Sequence, residues 1–116
     1  MNAADKAQLI EYAKMAKNKG LNRIYLHWTA GYYGQVFDDY HACIRGDEGH
    51  NGEVYFMTDD FAEKKNHTWK RNTNAIGLSL CCCVGAIANQ GYNADFGKCP
   101  PTTEQIESMA QTVAVL

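Results

Sequence analysis

The hydrophobic pattern predicts an α/β fold, a mixed β-sheet flanked by helices, on three observations. The chain opens with helical periodicity, its middle alternates apolar and polar residues at period two, and it closes on a capping box that leads into a second apolar stripe. With 116 residues, 46% of them hydrophobic, there is enough chain for one domain with one core and too little for two.

Each element follows from local chemistry. Asn2 is a suitable N-cap, Leu9, Tyr12, Ala13 and Ala16 recur on one helical face, and Gly20 supplies a stop; Lys6, Lys14, Lys17 and Lys19 form the solvated face. Residues 23–29 read as a strand with Ile24, Leu26 and Trp28 on one side and Tyr25, His27 and Thr29 on the other, broken by Ala30-Gly31. A loop with Gly31, Tyr32, Tyr33 and Gly34 follows, and its tyrosines either line a cleft or cover the sheet end. Residues 40–45 alternate again, and the turn-rich 46–52 run joins them to 53–57 as a hairpin, with His50 exposed at its tip. The polar stretch 58–74 is a loop. Residues 75–84 form the strongest strand pattern, with Ile76, Leu78 and Leu80 opposite a face of small residues that admits either a packed helix or a substrate. After a Gly- and Asn-rich loop over 85–97, Thr102 and Gln105 make a capping box, and Ile106, Met109, Ala110 and Val113 form the stripe expected to face the core.

That last helix carries no glycine, asparagine or basic residue in its final turn. The sequence therefore reads as the N-terminal portion of a single domain at 1–116, with Met109, Val113 and Leu116 buried by further chain, by self-association or by a second chain that completes the core.

Charge and composition exclude several classes. Eleven basic and 13 acidic side chains leave a formal charge of -2, with no Lys/Arg block interleaved with aromatics, so nucleic acid is not an expected partner. No continuous apolar run suits a membrane span or a signal peptide, and synthesis in a cytoplasm is expected. Five cysteines, three of them consecutive at Cys81, Cys82 and Cys83, fit no disulfide framework; alternation along a strand keeps those three from one tetrahedral ion, and they read as small core residues.

Two places can carry chemistry. His27 stands near the end of a stiff strand that opens to a loop, where an imidazole is well placed to bind a metal or move a proton. Trp69, among Lys64, Lys65, His67, Lys70, Arg71 and Asn72, either offers a flat surface to a sugar or polar peptide or pins its loop to the core.

Three segments in order, IYLHWTAG, FDDYHACIRGDEG and HTWKRNTNAIGLSL followed by PPTTEQIESMA, resemble the zinc-dependent N-acetylmuramoyl-L-alanine amidases, the superfamily of phage lysozyme-type amidases and peptidoglycan recognition proteins. The resemblance spans residues 24–116. It implies a mixed sheet flanked by helices, Zn²⁺ as cofactor, bacterial peptidoglycan as partner, and hydrolysis of the amide between muramic acid and L-alanine by a zinc-activated water. By position it makes His27 the first zinc ligand and Tyr40 the catalytic phenol beside the amide, with Thr29, His67, Trp69 and Asn74 on the substrate. It also implies a second His and a Cys or Asp beyond Leu116. Some members carry a glutamate on the Asn-x-x-Ile-Gly strand, where this sequence has Ser79 and Cys81. The alternative within the same fold is a peptidoglycan-binding module without catalysis.

Overall fold

The computed structural model describes residues 3–66, 72, 74–88 and 94–116. Helix α1 (Ala3–Asn18) is followed by strands β1 (Arg23–Trp28), β2 (Ala42–Ile44), β3 (Val54–Phe56) and β4 (Ala75–Leu80). A short pair, β5 (Ile87–Ala88) and β6 (Ala94–Asp95), then precedes helix α2 (Thr103–Val115). The four main strands form one sheet in the order β1-β4-β2-β3; β4 pairs in parallel with both β1 and β2, and β3 closes the far edge antiparallel to β2. This is a mixed α/β architecture, as the periodicities predicted.

The even-numbered strand residues make the core. Ala42, Ile44, Val54, Ile76 and Leu78 meet Leu9 and Ala16 of α1 and Met109 of α2, with Phe61 closing one end. Both helices thus pack on one face of the sheet, and among the described residues the odd-numbered face carries the segment that leads into β2. Helix α1 stops as expected: Gly20 adopts φ 81 and the Leu21 amide donates to Ala16 O at 3.1 Å, a six-to-one closure for which a glycine is suited. The expected cap Asn2 lies outside the described residues.

Several boundaries differ from expectation. The 75–84 strand ends at Leu80, because Cys83 turns to φ 69 and keeps only an isolated bridge to Gly31. The 85–97 loop contains the β5–β6 hairpin. The hairpin of β2 and β3 is as predicted, but its strands are three residues each.

Helix α2 departs most. Its capping box forms as predicted, with Gln105 N donating to Thr102 Oγ1 and Thr102 N donating to Gln105 Oε1, both at 3.0 Å. The face turned inward, however, is Gln105, Ser108, Met109 and Thr112, while Ile106 and Val113 of the expected core stripe are 55% and 37% exposed. The cause is hydrogen bonding. Gln105 Nε2 donates to Ile44 O at 3.0 Å and Cys81 O at 2.9 Å, filling carbonyls where β2 and β4 diverge, and Ser108 Oγ donates to Gly52 O at 2.7 Å. Of the three residues expected to await cover, Met109 is buried against the core, Leu116 is half-buried and Val113 is exposed. No helix is long and apolar enough to cross a membrane among the described residues.

Candidate functional site

Parallel pairing places His27 of β1 beside Ser79 of β4, and Ser79 beside Cys43 of β2. Register fixes their sidedness too, since partners in a ladder project from the same face. The three make a row across the helix-free face, near the carboxyl ends of parallel strands, where open α/β sheets place their ligands. Tyr40, just before β2, folds over this row, and its ring centroid lies 5.4 Å from that of His27 at an interplanar angle of 41°.

Partial burial sets the protonation of both rings. It lowers the His27 pKa, so the imidazole is neutral at physiological pH and able to offer a lone pair. Burial pushes the Tyr40 phenol up, opposed by the hydroxyl of Ser79 beside it, and nearby Cys43, Asp39 and Cys81 push it further up. At neutral pH Tyr40 is therefore a hydrogen-bond donor. Ser79 is fully buried, and its Oγ makes no hydrogen bond of good geometry, so the hydroxyl lies against the phenol without being committed elsewhere.

The other candidate residues are dispersed. Thr29 Oγ1 accepts the Gly31 amide at 3.1 Å and so serves the turn that ends β1. Asn74 is exposed with φ 55 at the amino end of β4, its carbonyl accepting Asn22 N at 3.1 Å; five residues from Ser79, it stands about 16 Å along the strand from the His27 row. The structure therefore does not bring Asn74 together with His27 and Tyr40. His67 and Trp69 lie outside the described residues.

His41, next to Tyr40, is structural. It is fully buried, Nδ1 accepts Gly77 N at 2.9 Å, and Nε2–H donates to Glu63 O, which fixes one neutral tautomer. His50 is partly exposed and paired with Glu53.

The thiols are core residues, as expected. All five cysteines are free and buried; the Cys82 and Cys83 sulfurs sit 3.2 Å apart, and Cys43 Sγ donates to Phe37 O at 3.4 Å. A hydrogen bond with Cys43 and then burial push Cys81 up, and burial and then the Cys83 contact push Cys82 up, which leaves both poor nucleophiles.

Zinc needs three protein donors or more, and among the described residues no three His, Cys, Asp or Glu side chains converge to hold an ion. His27 alone does not make a zinc site. Sequence reasoning passed over Ser79 as a partner of Tyr40. Its signal was available in the shared odd parity of His27 and Ser79, but joining them required knowing that β1 and β4 are neighbours in parallel. No protein-family profile, curated protein or solved structure matches the chain.

Proposed function

We propose that this chain belongs to a peptidoglycan amidase of the zinc-dependent N-acetylmuramoyl-L-alanine type, made in the cytoplasm and acting on cell wall after lysis or export. The observation that supports it is the pairing of a neutral imidazole, His27, with a protonated phenol, Tyr40, 5.4 Å apart on the helix-free face. Hydrolysis adds water across the lactyl–alanine amide, giving a lactyl carboxylate and a free alanine amine. Tyr40 is suited to donate a hydrogen bond to the amide carbonyl and to the oxyanion that develops from it, an interaction that strengthens in the transition state. His27 would be one holder of Zn²⁺, with the other donors outside the described residues.

A second reading is a peptidoglycan-binding module of this architecture without catalysis. It is favoured by the absence, among the described residues, of three His, Cys, Asp or Glu side chains that converge to hold an ion.

One experiment separates them. Purified protein is incubated with peptidoglycan and zinc, and new alanine amino termini, new reducing ends and sedimented protein are measured together. The amidase gives amino termini, abolished in His27→Ala and reduced in Tyr40→Phe. Sedimentation without cleavage, unchanged in His27→Ala, gives the binding module, and reducing ends alone would overturn both.

A further inference from the structure

Strand β1 is an edge of the sheet, bonded to β4 on one side only among the described residues. Edge strands are normally protected by charge, proline or a bulge. This one has no proline and no lysine or acidic residue, and its one arginine, Arg23, stands at its very start. Two of its even-numbered side chains are also exposed, Leu26 at 57% and Trp28 at 40%, while Ile24 packs against the core.

The exposed stripe of α2 continues the same surface. Ile106 and Val113 lie outward on the helix that packs on the Leu26 and Trp28 side of the sheet, and Phe96 meets the Trp28 ring edge-on at 5.7 Å. Between strand and helix runs an open groove of about 480 Å³ lined by Leu26, Trp28, Leu80 and Met109, with His27 at its rim. At ~200 Å² for a large side chain, Leu26, Trp28, Phe96, Ile106 and Val113 at their observed exposures present roughly 450 Å² of apolar surface. That is within the range of the largest patch a monomer carries, and such patches mark interaction sites.

We propose that this surface is a homodimer interface, in which β1 pairs antiparallel with β1 of a second copy about a two-fold axis through Leu26. A two-fold normal to the sheet keeps each face on its own side, so the two apolar patches merge beneath a continuous eight-stranded sheet. With Leu26 on the axis, it faces Leu26 of the second copy, Ile24 faces Trp28, Tyr25 faces His27, and Arg23 faces Thr29. The register thus sets apolar residues against apolar ones and opposes no like charges. Shifting it by one pair toward the amino end would set Arg23 against His27 and leave Trp28 beyond the strand. Each copy contributes one such patch of roughly 450 Å² together with its β1 backbone edge, more than half of the ~800 Å² per partner that a stable dimer buries. The dimer does not depend on the amidase reading.

The test is sedimentation over a wide concentration range, with single substitutions at exposed positions where folding is not at stake. The wild type is expected to show a concentration-dependent dimer, and Leu26→Lys and Ile106→Lys each to weaken it at least tenfold with unchanged circular dichroism. Leu26→Cys fixes the register. Opposed hydrogen-bonded positions sit about 5.5 Å apart between Cα atoms, within disulfide reach, so mild oxidation should give a covalent dimer. The five native thiols are buried and contribute little background. Met15→Cys, a 41% exposed position on α1, should stay monomeric under the same oxidation. A monomer at every concentration, a dimer indifferent to both lysines, or equal cross-linking through Met15→Cys would each overturn the proposal.

Discussion

Replacing Gln105 with alanine should destabilise the fold more than any other single change on α2. The side chain is fully buried and makes three hydrogen bonds of 2.9–3.0 Å, two donated by Nε2 to Ile44 O and Cys81 O and one accepted by Oε1 from Thr102 N. Ile44 O keeps a second donor, the Cys81 amide at 2.9 Å, so its loss is modest. Cys81 O and Thr102 N lose a partner each. At ~0.5–1.5 kcal/mol per bond, rising to ~1–3 where a buried group is stranded, the loss comes to about 3–5 kcal/mol. That is a large part of the ~5–15 kcal/mol that holds a small domain together. Urea unfolding followed by circular dichroism measures it as a lower midpoint at unchanged slope. Gln105→Glu is the informative companion, because it keeps the volume and the acceptor to Thr102 while replacing the donor to both carbonyls. It should also cost several kcal/mol. A loss below about 1 kcal/mol for either variant would refute the account of why α2 turns its polar face inward.

Acid should weaken the protein through His41. Burial lowers its pKa in the fold, so the unfolded chain binds the extra proton first, and stability falls as pH drops below about 6.5; His41→Gln should flatten that decline, measured as unfolding free energy against pH. Ser79→Ala should shift the ultraviolet phenolate titration of Tyr40 to higher pH, identified by difference against Tyr40→Phe, with stability unchanged because Ser79 Oγ has no well-formed bond to lose. An unmoved titration would separate the two residues. Gly97→Ala should cost about 1–3 kcal/mol, since φ is 72 and a Cβ would stand 2.1 Å from Val84 O, whereas Gly85→Ala, with the same φ and open space, should cost about 1 kcal/mol; equal midpoints in thermal melts would rule the clash out.

Much of the architecture is set by the sequence alone. Alternation over 23–29 and 75–80, the glycine stop at Gly20 and the Thr102–Gln105 capping box are local signals, because strand pleat, left-handed turns and helix caps depend on residues a few positions apart. His27 was legible for the same reason, as a histidine near the end of an apolar strand. Tertiary structure decided what lies between elements. That β4 sits between β1 and β2 is a choice of strand order, and only that order puts Ser79 beside His27 and under Tyr40. The same holds for α2, whose periodicity offered two faces. Ile106 and Val113 had the hydrophobicity, but Gln105 and Ser108 had carbonyls to fill at Ile44, Cys81 and Gly52, and those acceptors come from strands and turns at least 24 residues away. A stranded buried carbonyl costs about as much as an exposed aliphatic side chain forgoes, so the choice turned on partners that no local pattern could reveal.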